Sequence, residues 1–189
     1  MPYELKSARY LARDILLRAV QPGDTVVDAT MGNGHDTLFL AGQVGPEGHV
    51  YAFDIQADAV ESTRKLLAEQ NLSDRVTLLC RSHAELAEAV PAGVAAVVFN
   101  LGWLPGGDHS ITTLCASTEK AVSAALEILK PGGVVTVCVY PGHAEGTREL
   151  EMLTDRLASL SNREYNVLRH TFLNAGPGAP ECFVIQKNF

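Results

Sequence analysis

Two acidic residues and two glycines near the start of the chain have the types and spacing of a ligand-binding turn. Asp28 ends a short β-branched run, Gly32 and Gly34 follow it, and Asp54 ends the next apolar run. Glycine permits positive φ and close approach of the backbone to a ligand, and the helix expected behind the turn offers unpaired N–H groups. A carboxylate at Asp54 can accept both hydroxyls of a ribose. The spacing favours a nucleoside-bearing ligand, with a purely structural tight turn as the alternative for the glycines.

The residues beside this turn argue against a dinucleotide and fit a cationic ligand. A dinucleotide-binding turn requires glycine or alanine where Thr37 stands, and Asp36 would repel a diphosphate at the helix N-terminus. The same carboxylates suit a ligand that carries an ammonium and a sulfonium and has no phosphate. S-adenosylmethionine (SAM) has this chemistry, and we predict that SAM is the cofactor.

A second group of reactive side chains follows the fourth apolar run. Asn100 and Trp103 resemble the Asn-Pro-Pro-Tyr motif of amino-methyltransferases, in which the amide oxygen accepts a hydrogen bond from the amine and the ring stacks on a base. An Asx turn and a core aromatic are the structural alternatives for the two residues. An alkylamine must lose a proton before it attacks, and Asp108, His109 and His143 are the candidate proton acceptors.

Strand and helix patterns alternate along the chain and place these turns at one edge of a sheet. Short apolar or β-branched runs predict seven strands, at 24–28, 49–54, 75–79, 94–101, 134–140, 165–172 and 182–187. Helical spacing predicts helices at 9–20, 37–43, 57–70, 84–90, 113–129 and 145–160, and Ser110 is a candidate helix cap. The pattern predicts an α/β fold, a doubly wound and mostly parallel sheet with an antiparallel last strand. Ligands of such sheets bind beyond the carboxyl ends of the strands.

Composition and charge restrict the class of protein. The 189 residues are 47% hydrophobic, with 15 Lys and Arg against 22 Asp and Glu and a formal net charge of −7. This length predicts one domain over 1–189, and the longest apolar runs are too short for a membrane span. The first residues lack the pattern of a secretory signal, so we expect a cytoplasmic protein. Cys80, Cys115, Cys138 and Cys182 lack metal-ligand spacing, so we expect small buried apolar side chains and no metal site.

Four segments together resemble the class I SAM-dependent methyltransferases and, more narrowly, a small bacterial family long labelled rRNA methylases. They are Asp28-Ala-Thr-Met-Gly-Asn-Gly-His-Asp-Thr37, Phe53-Asp-Ile-Gln56, Phe99-Asn-Leu-Gly-Trp-Leu-Pro-Gly-Gly-Asp-His109 and Tyr140-Pro-Gly-His143. Better-understood members are similar to tRNA 5-aminomethyl-2-thiouridine methyltransferases, which methylate the aminomethyl nitrogen of the wobble uridine. The resemblance covers nearly the whole chain and implies a Rossmann-like class I methyltransferase fold with helices on both faces of a seven-stranded sheet. Two positions depart from these patterns: Thr30 stands where methyltransferases in general have the first glycine, a departure that the narrower family shares, and Trp103 stands where Tyr is expected in relatives.

The motifs and the resemblance together assign the site residues. Cofactor contacts are expected at the turns after the first four strands, from Asp28, Thr30, Gly32, Asn33, Gly34, Asp36, Thr37, Asp54, Ile55, Gln56, Ser82, His83 and Asn100. Catalytic roles are expected for Asn100, Trp103, Asp108 and His109. Contacts to the acceptor are expected from Leu104, Gly106, Gly107 and His143.

The resemblance implies a SAM-dependent RNA methyltransferase that acts on the aminomethyl group of 5-aminomethyl-2-thiouridine at the wobble position, with tRNA as its partner. An acidic chain needs local cations to contact RNA, although an ordinary solvated face has the same spacing. The candidate cations are Lys6, Arg9 and Arg13 on one helical stripe, with Arg163, Arg169 and Lys187 from the terminal region. The alternatives are an rRNA methyltransferase, a small-molecule amine N-methyltransferase and a SAM-binding subunit without activity of its own. A homodimer is left open.

Overall fold

The computed structural model describes residues 7–189, and its centre is a seven-stranded sheet. The strands are β1 (Thr25–Asp28), β2 (His49–Asp54), β3 (Val76–Cys80), β4 (Val94–Asn100), β5 (Leu129–Val139), β6 (Tyr165–His170) and β7 (Glu181–Lys187). Their order across the sheet is β3-β2-β1-β4-β5-β7-β6. Neighbouring strands run parallel except in the two pairs that include β7, which are antiparallel. The predicted mostly parallel sheet with an antiparallel last strand is confirmed.

Helices cover both faces of this sheet, as predicted. The α-helices described within residues 7–189 are α1 (Ala8–Ala19), α2 (His35–Val44), α3 (Ala57–Glu69), α4 (Leu86–Ala89), α5 (Cys115–Ile128) and α6 (Ala144–Ala158). Successive side chains of a strand point to opposite faces, and β1 shows the result. Val26 belongs to a core cluster that includes residues of α1, α2 and α3, whereas Val27 packs with residues of α4, α5 and α6.

The segment before α5 differs from the sequence expectation. The carboxylate of Asp108 accepts a hydrogen bond from the backbone N–H of Ser110 (2.8 Å), which forms a local turn. Leu114 is extended (φ −117°, ψ 137°), and the helix begins after it, at Cys115. The expectation that Ser110 caps this helix is therefore wrong.

Strand β5 begins earlier than its apolar pattern indicates. Leu129 pairs with Val94 of β4, and an irregularity in the register follows before Ala96 pairs with Val134. Gly132 adopts a φ of +77° inside this irregular part of the strand. Glycine tolerates that conformation, so the segment bends without leaving the sheet.

The cysteines divide into two groups. Cys138 and Cys182 are buried, as expected, and face each other in the register of β5 and β7. Cys80 is exposed at the end of the edge strand β3, and Cys115 is half-buried at the start of α5, so the expectation of burial is wrong for these two. No helix between residues 7 and 189 is long and apolar enough to cross a membrane.

Candidate functional site

One cavity of about 790 Å³ lies at the carboxyl ends of strands β1 to β5. The turns after β1, β2, β3 and β4 contribute residues 29–33, 54–56, 81–83 and 100–105 to its wall. The predicted site residues that line it are Thr30, Gly32, Asn33, Asp36, Asp54, Ile55, Gln56, Ser82, His83, Asn100, Trp103, Leu104 and His143. The predicted residues outside its wall are Asp28, Gly34, Thr37, Gly106, Gly107, Asp108 and His109. The cavity thus has the position expected for a ligand of this fold.

Asp28 is fully buried and binds the turn rather than the cavity. Its Oδ2 accepts a hydrogen bond from the hydroxyl of Thr37 (2.6 Å), and its Oδ1 accepts one from the N–H of Thr30 (3.2 Å). Burial, together with the charges of Asp36 and Asp54, raises the pKa of Asp28 to about 7. The side chain therefore connects β1 to its turn and to the first turn of α2.

The packing of the first turn on α3 explains why position 34 is a glycine. It adopts a left-handed φ of +82°, and a Cβ at this position would lie 2.8 Å from Oγ1 of Thr63 in α3. The same hydroxyl donates a hydrogen bond to the carbonyl of Gly32 (3.0 Å). Gly34 therefore permits close packing of the turn on α3, while Gly32 contributes to the cavity wall.

Asp54 and His83 provide acceptors suited to a nucleoside. The carboxylate of Asp54 accepts backbone N–H groups of Gly32 and Gln56, each at 3.0 Å, and each oxygen has a further lone pair. Nδ1 of His83 lies 3.2 Å from the carbonyl of Ala29 and donates to it, so Nε2 carries the lone pair. Burial lowers the pKa of His83 and keeps the ring neutral, and the buried Nε2 has no partner within residues 7–189. These acceptors fit the hydroxyls and the amine of adenosine.

Asn100 ends β4 and is held at two points. Its backbone N–H donates to Oγ1 of Thr30 (2.7 Å), and its side-chain Nδ2 donates to Oδ2 of Asp36 (2.5 Å). Because an ionised carboxylate only accepts hydrogen bonds, this contact fixes the orientation of the amide. The buried Oδ1 of Asn100 finds no partner in the described part of the chain. The amide of Asn100, a residue of the cavity wall, therefore has a fixed orientation.

The indole of Trp103 lies against two histidines. The ring of His109 stacks on it at 4.5 Å with an interplanar angle of 17°, and the ring of His143 lies at 4.5 Å with an angle of 40°. Trp103 is 38% exposed, so part of the indole surface is open at the cavity. This exposure excludes the core-aromatic alternative for Trp103.

His143 caps helix α6. Its Nδ1 accepts a hydrogen bond from the N–H of Gly146 (3.2 Å), which places the ring proton on Nε2. That nitrogen is buried and has no partner among the described residues. In this tautomer His143 offers an N–H donor rather than a proton acceptor.

Asp108 does not reach the cavity. It is exposed, and the hydrogen bonds from Ser110 lower the pKa of its carboxyl group. Gly106, with φ +81°, and Gly107, whose N–H donates to the carbonyl of Leu104 (2.9 Å), form the turn that precedes it. This turn presents Leu104 to the cavity and directs Asp108 away from it.

The loop between β4 and α5 is anchored at its base by a buried carboxylate, Glu149, that sequence reasoning missed. Oγ1 of Thr113 accepts the N–H of Gly102 (2.9 Å) and donates to Oε2 of Glu149 (3.1 Å). The hydroxyl of Thr118 donates to Oε1 of the same residue (2.6 Å). Glu149 is fully buried, and burial raises its pKa. An acidic residue in an amphipathic helix gives no sequence signal for this role.

Arg9 has a different place from the one that the basic stripe predicted. Its guanidinium forms a two-nitrogen ion pair with Asp36, with the shortest contact from Nη2 to Oδ1 at 2.8 Å. Arg9 therefore lines the cavity, and the carboxylate of Asp36 is neutralised rather than free for a cationic ligand.

Other candidate cations are also engaged within the chain, and Lys6 lies outside the described residues. Arg13 lies over the ring of Phe39 at 4.1 Å, Arg169 pairs with Glu181 at 2.6 Å, and Nζ of Lys187 donates to carbonyls of 126, 127 and 129. Arg169 and Lys187 therefore stabilise the terminal strands, where the sequence had suggested phosphate contacts.

Tyr140 is a further cavity residue to which the sequence assigned no role. It follows β5, and burial raises the pKa of its phenol to about 12. The hydroxyl therefore stays protonated near neutral pH and is available as a donor.

Comparison with known proteins identifies the family. Residues 50–186 match the family model described as "Putative rRNA methylase". The chloroplastic tRNA (mnm(5)s(2)U34)-methyltransferase of Arabidopsis thaliana is 46% identical over 158 residues, which cover 78% of this chain and 58% of that protein. The crystal structure of an rRNA methylase from Clostridium thermocellum is 42% identical, covers 98% of this chain and 100% of that one, and superposes with a TM-score of 0.95. The crystal structure of a methyltransferase from Streptococcus mutans, in complex with SAH (S-adenosylhomocysteine, the demethylated product of SAM), is 31% identical. It covers 97% of this chain and 99% of that one and superposes with a TM-score of 0.88. The chain therefore belongs to the rRNA methylase family.

Proposed function

We propose that this chain is a SAM-dependent methyltransferase that acts on RNA, and that its acceptor is the aminomethyl nitrogen of 5-aminomethyl-2-thiouridine at the tRNA wobble position. The family, the complex of the Streptococcus mutans relative with SAH and the name of the Arabidopsis relative support this proposal. The observation that carries the amine acceptor is the side chain of Asn100, a residue of the cavity wall, whose buried Oδ1 has no partner within residues 7–189. An amide oxygen of fixed orientation recognises the N–H of an amine.

The cavity residues divide into two sets. The backbone of residues 29–33 with Asp54 and His83 would hold the adenosine part of SAM. Together they offer backbone donors, a carboxylate and an imidazole nitrogen that has no partner in the described part of the chain. When bound, SAM supplies a methyl group on a sulfonium, which the amine nitrogen takes while the sulfur leaves as a thioether. Trp103 and Leu104 would hold the uridine ring on the other side.

Asn100 would orient the amine for this displacement. Its Oδ1 accepts an N–H of the neutral amine, which directs the nitrogen lone pair and reduces the entropy that the reaction must lose. The amine must first give up its ammonium proton. Two adjacent residues, Asp108 and His109, are candidates to accept this proton. The ring of His109 stacks on Trp103, whereas the carboxylate of Asp108 accepts a hydrogen bond from Ser110.

Methyl transfer to defined RNAs tests the proposal. The purified protein and labelled SAM are incubated with tRNA carrying 5-aminomethyl-2-thiouridine, with the same tRNA lacking the aminomethyl group, with rRNA and with a small alkylamine. We expect label in the first RNA alone. Label in rRNA, in both tRNAs or in the small amine would refute the wobble-uridine acceptor, and SAM binding without transfer to any acceptor would indicate a subunit without activity of its own.

A variant of Asn100 tests whether methyl transfer depends on this residue of the cavity wall. Asn100→Ala removes the amide acceptor, and we expect turnover to fall by about a hundredfold while SAM affinity stays within a few fold. Asn162→Ala is the matched control, because Asn162 is an exposed residue outside the cavity wall. A collapse of SAM affinity and melting temperature in Asn100→Ala would instead assign Asn100 a structural role.

A further inference from the structure

Three distant segments meet at one carboxylate beside the cavity. Asp36 of α2 accepts Nη2 of Arg9 at 2.8 Å and Nε of Arg9 at 3.2 and 3.3 Å. It also accepts Nδ2 of Asn100 at 2.5 Å. Arg9 comes from α1, which precedes the first strand, and Asn100 comes from the end of β4. The arginine, the carboxylate and the amide form one continuous chain of charge-assisted hydrogen bonds.

We propose that Arg9 is a positioning residue that acts through Asp36 to hold the amide of Asn100 with Oδ1 toward the acceptor amine. This inference rests on the proposed function and adds a residue of α1 to its machinery. The two ends of an asparagine amide have nearly the same size, so packing alone does not distinguish its two orientations. Asp36 selects one orientation because it only accepts, and the paired nitrogens of Arg9 fix where its oxygens lie.

Arg9 also balances the charge of the site. A carboxylate without a cation beside the acceptor amine would favour the ammonium form, which has no lone pair for attack. Paired with Arg9, Asp36 keeps its hydrogen bond to Asn100 without adding a net negative charge. The pair is partly shielded from solvent, with side-chain exposures of 44% for Arg9 and 15% for Asp36.

A contact from Arg9 to an RNA phosphate is the competing role, and kinetics separate the two. Loss of a phosphate contact weakens RNA binding, raises the KM for tRNA and reduces the salt dependence of RNA binding. Loss of a positioning contact lowers kcat and leaves KM and SAM affinity nearly unchanged. Arg18 is the matched control, because it is an exposed arginine in the last turn of the same helix.

The experiment compares Arg9→Gln, Arg9→Lys and Arg18→Gln with the parent protein. We expect Arg9→Gln to lower kcat about tenfold or more, with KM for tRNA and the SAM dissociation constant within about twofold. Arg9→Lys should recover part of the loss, because lysine restores the charge but not the two-nitrogen contact. Arg18→Gln should retain the parent kcat. Unchanged kcat in Arg9→Gln, or a raised KM alone, would overturn the proposal.

A second measurement needs no substrate. In ¹⁵N-labelled protein, the side-chain NH₂ signals of Asn100 are assigned from their loss in Asn100→Asp. We expect Arg9→Gln to move these signals and Arg18→Gln to leave them in place. Unmoved signals in Arg9→Gln would refute the coupling between Arg9 and Asn100. If the parent protein methylates no RNA, the proposed function fails while this spectrum still decides whether Arg9 positions the amide.

Discussion

Alanine at Gly34 tests whether this glycine is required for packing rather than for the cofactor. Gly34 and Gly106 have nearly the same positive φ, at +82° and +81°. A Cβ on Gly106 would meet no atom of residues 7–189 within 4 Å, whereas a Cβ on Gly34 would meet Oγ1, Cγ2 and Cα of Thr63 at 2.8, 2.9 and 3.0 Å. The two substitutions therefore share the backbone cost and differ in the steric cost.

The magnitude follows from these two costs. Placing a residue other than glycine in the left-handed region costs about 1–2 kcal/mol. Forcing a methyl group against a packed neighbour costs about 1–3 kcal/mol more, because Cα of Thr63 belongs to α3 and moves only with the helix. We expect Gly106→Ala to lower the free energy of unfolding by about 1–2 kcal/mol and Gly34→Ala by about 2–5 kcal/mol.

Urea unfolding measures the free energy of unfolding of both variants. An equal dependence of that free energy on urea concentration would show that their unfolded states are comparable. The double variant Gly34→Ala with Thr63→Ala should recover part of the loss, since it removes two of the three close atoms. Calorimetry below the melting temperature should find SAM affinity retained in Gly34→Ala, because Gly34 is outside the cavity wall. Equal losses in Gly34→Ala and Gly106→Ala would refute the steric argument.

Three further predictions concern other groups of the fold. His143→Ala should lower the free energy of unfolding by about 1 kcal/mol, because α6 loses its cap. His143→Asn should restore the cap but not the turnover, because asparagine can accept from Gly146 without placing an N–H where Nε2 lies. Equal turnover in His143→Asn and the parent protein would contradict a donor role for Nε2. Burial raises the pKa of Asp28 from 3.8 to about 7, so ionisation opposes folding, and its contribution to the free energy of unfolding falls as the pH rises from about 4 to about 7. The melting temperature of Asp28→Asn relative to the parent should therefore rise between pH 5 and pH 8, and a constant difference would show that Asp28 does not titrate there. A thiol reagent should modify the exposed Cys80 in the native protein and the buried Cys138 and Cys182 only after denaturation, which counting reacted thiols with and without urea will check.

The fold was accessible from sequence because its signals are local. Apolar runs of β-branched residues predict strands buried on both faces, and Gly and Pro mark the turns between them. The alternation of Val26 and Val27 between two helix layers is a direct consequence of the strand period. The bounds that differed depend on contacts outside the segment, such as the pairing of Leu129 with Val94, which extends β5 beyond its apolar run.

The site was accessible only in outline. Sequence placed Asp54, His83, Asn100 and Trp103 on turns that share one sheet edge, and the structure brings all four to the cavity. It did not reveal that Asp36 binds Arg9, 27 positions away, and Asn100, 64 positions away. No local pattern encodes such pairs, because the choice of partner is made by how α1, α2 and β4 pack together.

The three carboxylates near the first turn show how this packing determines the chemistry. The sequence suggests a cluster of negative charge, yet Asp28 is buried with a pKa of about 7 and Asp36 is balanced by Arg9. Asp54, by contrast, lines the cavity wall, and its partners within residues 7–189 are backbone N–H groups. SAM carries an ammonium, a sulfonium and a carboxylate, for a net charge of about +1. Among the described residues of the cavity wall, Asp54 is a carboxylate without an ion pair, which matches that charge. Asp36, which binds Asn100, is balanced by Arg9 and would leave the proposed acceptor amine free to lose its proton.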